Sequence, residues 1–155
     1  MRAIRLHPNY HGYGLEDAVA KELLTAAAER GLLVQIAAQM EDERTQHPLL
    51  RVKPVVLQVL PELMRVAPKL RVQVLHHSRP VAIERVAWDF CAVEGVHGLS
   101  RLLQAGAAEW LCLGSYYPFF TLEAALLKMK EAGVAGEQAQ RLHTGTARAW
   151  MEVRR

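Results

Sequence analysis

Cysteine is scarce in this chain. Only Cys91 and Cys112 occur in 155 residues, too few for a disulfide framework. Long apolar runs are missing too. Nothing approaches the roughly 18 consecutive apolar residues of a membrane-spanning helix. The stretch Met1-Arg2-Ala3-Ile4-Arg5-Leu6-His7 lacks the apolar centre of a signal peptide. The expected setting is therefore the cytoplasm, with both thiols reduced and buried as small hydrophobes; a redox or ligand role is the alternative. Charge of one sign never accumulates. Nineteen Lys and Arg face sixteen Asp and Glu, a net charge of +3, with the two signs interspersed. That pattern predicts neither nucleic acid nor a membrane as partner. No G-x-G-x-x-G and no G-x-x-x-x-G-K-[ST] follows any candidate strand, which argues against an open nucleotide-binding sheet. No H-x-H or H-E-x-x-H occurs either, so the residues alone give no compact metal motif.

What is present is an alternation of short apolar runs with helical stretches. Strands are predicted at 2–7, 32–38, 70–76, 86–92 and 108–114. A helix over 15–30 is predicted with Leu15, Val19, Leu23, Ala26 and Ala27 on its buried face, acids at its start and Gly31 at its stop. A second helix is expected over about 54–66, interrupted or restarted at Pro61. Residues 79–85 are expected to form one helical turn, and 96–105 a short helix. Thr121 is the expected cap of a helix running through Ala132 and closed by Gly133. One broken helix or two short ones fill 136–152. Near-continuous apolar strands separated by helices predict an α/β fold: one domain over residues 1–155, with a parallel sheet of about five strands. The closure is either an open doubly wound sheet or an arc of a (β/α)8 (TIM) barrel.

Both closures place function beyond the C-terminal ends of the strands. Six of the seven histidines fall in those loops, all but His143. The first loop holds His7, Asn9 and His11. The second holds Gln39, Glu41, Asp42, Arg44 and His47. The third holds His76, His77 and Arg79. The fourth holds Glu94 and His97, and the fifth Ser115, Tyr116 and Tyr117. Imidazoles and carboxylates from several strand ends can hold a divalent metal and lower the pKa of its water. A single loop histidine is otherwise a hydrogen-bonding or solvated residue. The dense charges of 41–47 read either as a solvated loop of weak ion pairs or as a site. In the second case Glu41 or Asp42 is the carboxylate and Arg44 the anchor for an acidic substrate. The run Tyr116-Tyr117-Pro118-Phe119-Phe120 either packs the last helix or lines an apolar pocket.

Several segments in order resemble one family. They are Arg5-Leu6-His7-Pro8-Asn9-Tyr10; Glu29-Arg30-Gly31 followed by Leu33-Val34-Gln35-Ile36; a strand ending at His76; Gly114-Ser115-Tyr116-Tyr117-Pro118-Phe119; and Arg141-Leu142-His143-Thr144-Gly145-Thr146-Ala147. Together the chain resembles the amidohydrolase-related family of metal-dependent hydrolases and decarboxylases, over the C-terminal half of its barrel, from about the fourth strand onward. The resemblance implies a metal held by H-x-H on the first strand, a histidine on the fifth, often one at the end of the sixth and an aspartate after the eighth. The first-strand pair would precede Met1. The fifth-strand position falls on Ala37, or Ala38 in the neighbouring register. The sixth falls on His76. The eighth falls on Tyr116, where many members have the aspartate that also acts as base.

The resemblance therefore implies a hydrolase-like domain with a degraded or altered metal site, a fragment of a full barrel that attacks a C–N or C–O centre or decarboxylates a related acid. His76 is the expected metal ligand and Glu41 and Asp42 the expected catalytic carboxylates. His7, Arg44, His47 and Tyr116 are the expected lining for a small-molecule substrate. The expected cofactor is Zn or Mn, or none. The competing expectation is a non-catalytic binding or assembly domain derived from the same barrel. In either case the strands at 2–7 and near 110–114 are expected as exposed edges, covered by a missing N-terminal half or by a second copy.

Overall fold

β-branched and long aliphatic residues recur in five short runs, and each forms a strand: β1 (Ala3–Leu6), β2 (Leu33–Ala37), β3 (Arg71–Leu75), β4 (Val86–Asp89) and β5 (Leu111–Cys112). The computed structural model describes residues 1–41, 44, 46–49 and 51–152. The strands make one five-stranded sheet in the order β1-β2-β3-β4-β5, and every neighbouring pair is parallel. Between and after them run α1 (Ala18–Glu29), α2 (Leu60–Val66), α3 (Gly98–Gln104), α4 (Leu122–Glu131), α5 (Gly136–Gln140) and α6 (Thr146–Met151). Sequential parallel strands, with helices in every crossover except that from β3 to β4, form a partial (β/α) barrel, one of the two closures the alternation allows and the one the resemblance implies.

The two faces of the sheet have different chemistry. Val34, Ile36, Val72, Val74, Val86, Trp88 and Leu111 point to the helices and form the core with Leu24, Leu60, Leu63, Leu99, Ala125 and Met129. The other face carries a polar ladder. The Arg5 Nε–H donates to Gln35 Oε1 (3.0 Å), Gln35 Nε2 donates to Gln73 Oε1 (2.7 Å), and Gln73 Nε2 donates to Cys112 Sγ (2.9 Å). The last step crosses over β4, where the residue in register with Gln73 is Ala87. Its single methyl group leaves the glutamine room to reach β5.

Several boundaries follow their local chemistry. Gly31 adopts φ 64° and Gly133 φ 67°, ending α1 and α4. The Thr121 hydroxyl accepts the Ala124 N–H at 3.4 Å, as expected of the cap. Pro61 restarts a helix: a 3₁₀ turn over Leu57–Val59 leads into α2, with the proline in its first turn. Other expectations need correction. The buried face of α1 is Ala20, Leu24, Ala27 and Ala28; Val19 and Leu23 lie outside it, at 76% and 42% exposure. The hydrophobic residues of this helix cover more than one stripe, and packing onto the sheet selects the stripe rich in alanine, which allows close approach. Residues 79–85 form bends and a turn instead of a helical turn, with Arg85 at φ 62°. Cys91 lies beyond the end of β4, whereas Cys112 is in β5; both are free and buried.

The sheet edges differ. The Leu33 N–H donates to the Arg2 carbonyl at 3.1 Å, so the alternation of parallel pairing turns the N–H and C=O of Ala3 and Arg5 away from β2. On the opposite side the Leu113 N–H donates to the Leu142 carbonyl at 2.8 Å. The expectation of two open edges therefore holds less well at residues 110–114, where the π-helical turn Arg141–Gly145 covers part of the edge. That tail is tied down at its far end by Arg71. The guanidinium donates to the carbonyls of Trp150 (2.8 Å), Glu152 (2.7 Å) and Gly31 (2.7 Å). Charge-assisted bonds of this kind are each worth about 1.5–3 kcal/mol before solvent screening. Arg71→Ala is expected to lower the free energy of unfolding by about 2 kcal/mol and to speed proteolysis within α6. Urea denaturation checks the first, and a change below about 0.5 kcal/mol would refute the anchoring role.

Candidate functional site

Parallel pairing brings the strand ends to one rim, and there the side chains of β3, β4 and the segment after β5 meet. Asp89, the last residue of β4, is only 3% exposed. Its carboxylate accepts the His76 backbone N–H (3.2 and 3.3 Å to the two oxygens), the Cys91 backbone N–H (3.2 Å) and the Cys91 thiol (2.9 Å). Burial raises its pKa above the ordinary aspartate value, and these hydrogen bonds oppose the shift. Gly114 lies against it. A Cβ at that position would sit 2.7 Å from Asp89 Cβ, so only glycine fits.

Held by this carboxylate, His76 leaves β3 with φ 55°. Its ring lies face to face with Tyr116 (centroids 4.0 Å apart, planes 3° apart), and Phe120 stands 5.3 Å away. Tyr116 also has positive φ, 57°. Left-handed backbone is uncommon outside glycine and concentrates at functional positions. One carbonyl joins the pair: Gln39 O lies 2.9 Å from His76 Nδ1 and accepts the Tyr116 hydroxyl at 2.9 Å. Met40 Sδ is a second acceptor for that hydroxyl at 3.0 Å. Burial holds the Tyr116 phenol well above its usual range, so it is a neutral donor. Donation of the Nδ1 proton to Gln39 fixes the tautomer and leaves Nε2 as the basic nitrogen, the arrangement seen in metal-ligating histidines.

The other expected site residues scatter around this cluster. His7 is half-buried, its rings 6.1 Å from those of His11, and burial, then Arg5 and His11, lower its pKa. Glu41 is half-buried; its carbonyl accepts from Gln39 Nε2 at 2.8 Å, and its charge adds to burial in raising the Tyr10 phenol. This places the first and second loops side by side. Arg44 and His47 are exposed, and His47 Nδ1 accepts the Leu49 N–H at 3.2 Å, a local loop bond. Asp42 lies outside the described residues. His77 packs 5.4 Å from Trp88, and burial lowers its pKa. His97 is exposed at the start of α3. Among the described residues no three His, Cys, Asp or Glu side chains are placed to hold a metal ion. These donors therefore do not fit a catalytic zinc site, which takes about three protein ligands and a water.

Sequence reasoning passed over Asp89 altogether. Its signal was there: one carboxylate inside the apolar run Val86-Ala87-Trp88-Asp89-Phe90-Cys91, where an unpaired acid is costly. It missed the Gln39 carbonyl because a backbone acceptor leaves no trace in residue type.

Two tests follow. Gly114→Ala is expected to cost about 1–3 kcal/mol by driving a methyl group into Asp89, read by chemical denaturation; a neutral result would show that the rim can relax. Burial and Asp89 raise the Cys91 thiol, and burial pushes Cys112 up to about 12. Raised pKa values keep both as thiols at pH 8, so in the native protein they should react with a disulfide reagent at least about a hundredfold more slowly than free cysteine. Rapid native-state labelling of both would contradict this.

No protein-family model matches the chain. No curated protein matches it by sequence. Solved structures do match in fold. An uncharacterised TIM-barrel protein from Bordetella bronchiseptica superposes with a TM-score of 0.73 at 16% identity, over 97% of this chain and 57% of that one. A putative amidohydrolase from Staphylococcus aureus gives 0.66 at 6% identity, over 97% and 64%. A dihydroxybenzoic acid decarboxylase from Polaromonas sp. JS666, solved with bound manganese and the inhibitor 2-nitroresorcinol, gives 0.66 at 10%, over 92% and 56%. The chain thus spans between 56% and 64% of the length of these three barrels. Its fold is that of part of a TIM barrel.

Proposed function

We propose that this chain supplies the last five β/α units of an amidohydrolase-related barrel, in the cytoplasm, with a metal site altered so that it does not hold a catalytic metal by itself. One observation carries the reading. The Gln39 carbonyl engages His76 Nδ1, which would leave Nε2 for a metal, yet the position where the family places an aspartate is Tyr116, whose ring covers that of His76 at 4.0 Å. A neutral phenol stacked on the imidazole replaces a carboxylate that would share its metal. In a complete barrel the remaining units would pair along the outer edge of β1 and bring further ligands. His7, Glu41, Asp42, Arg44 and His47 would then line the mouth for a small molecule, with Glu41 or Asp42 as the carboxylate and Arg44 opposite an acidic group.

A non-catalytic binding or assembly domain is the second reading, and Tyr116 favours it. Its hydroxyl is committed to Gln39 and Met40 and its face to His76. Nothing in that arrangement would deprotonate water.

Elemental analysis of the purified chain, before and after incubation with Zn and Mn, tests the proposal. Far less than one metal per chain is expected, with His76→Ala indistinguishable from the parent. Stoichiometric metal that disappears in His76→Ala would overturn the altered-site reading and establish a rebuilt centre.

A further inference from the structure

The opposite end of the sheet, away from the rim, carries a pocket of about 770 Å³. Its volume falls in the range of small-molecule sites, roughly 300–1,000 Å³. Four cationic residues line it, Arg30, Lys69, Arg71 and Arg85, together with Trp150. Only two carboxylates, Glu29 and Glu152, stand among them. From this lining we infer a second binding site, one for a phosphate monoester carried on a flat ring.

Three of the cations are fixed in place, chiefly by backbone carbonyls, and one of these, Arg85, also pairs with Glu84 (3.7 Å). Arg71 is held by the carbonyls of Gly31, Trp150 and Glu152. Arg85 donates to Met64 O (2.7 Å) and to Pro68 O. Arg30 donates to Ala26 O at 3.0 Å. Carbonyl oxygens satisfy N–H donors but carry no formal charge, so the charges of Arg30 and Arg71 persist. A ligand that meets cations already immobilised pays less ordering entropy. Among the described residues, four cations against Glu29, Glu152 and the Glu84 paired with Arg85 leave an excess of about one positive charge, which favours an anion such as a phosphate monoester. Trp150, half-buried in this lining, is the aromatic residue available for a planar ring to stack on. The site lies on the helices' C-terminal side of the sheet, between the end of α1, the turn before β3 and α6, and shares no residue with the His76 cluster.

Adenosine 5′-monophosphate is a suitable probe, with adenosine and inorganic phosphate as its two halves. Tryptophan fluorescence and calorimetry on the whole chain should show one saturable site for the monophosphate. Affinity should exceed that for phosphate by at least about tenfold, and adenosine should not saturate over the same range. Arg30 and Lys69 are exposed, so the double variant R30Q/K69Q is expected to fold and to weaken the monophosphate by at least about tenfold. W150A should abolish the fluorescence change and bring the monophosphate down to the affinity of phosphate. Absence of saturation at millimolar monophosphate, equal binding of adenosine, or undiminished binding by R30Q/K69Q would each overturn the site.

Discussion

A carboxylate kept out of water at the end of β4 governs the rim of this sheet. Asp89 must find its hydrogen bonds inside the protein, and it finds them on the backbone of His76 and on both donors of Cys91. That demand fixes the direction in which the chain leaves β3. It also forbids any side chain at position 114. The turn after β5 then carries Tyr116 over the His76 ring. His76 is thus placed, through its backbone, by a buried acid that the loop residues do not include.

The sheet divides labour between its faces. One is an apolar surface filled by helix side chains, and it supplies the hydrophobic free energy. The other is held by amide–amide and guanidinium–amide bonds running from β1 to β5. In a closed barrel such a face is sealed by the remaining strands; here it is polar enough to face water, although Gln35 and Gln73 are half-buried.

The parallel sheet and the cap at Thr121 were legible in the sequence, because these follow from local period and composition, whereas the sequential strand order came only with the family resemblance. The burial of α1 was less legible. Val19 and Leu23 satisfy a helical period as well as Leu24 and Ala28 do, and only packing on the sheet selects between them. His76 and Tyr116 could each be singled out, since each falls in a loop past a strand. Their stacking could not, because it joins residues forty positions apart through left-handed backbone at both. Asp89 was legible in principle, as an acid in an apolar run. Its partners are mainly backbone N–H groups, which the sequence does not distinguish.

The bond from the Leu113 N–H to the Leu142 carbonyl has a consequence for assembly. It makes the two sides of the sheet unequal. Strand addition at β1 meets free backbone groups on Ala3 and Arg5, while addition at β5 must first displace part of the tail. Copies of this chain therefore cannot stack head to tail without breaking a native bond at each joint. That extra cost disfavours open, fibre-like growth across β5.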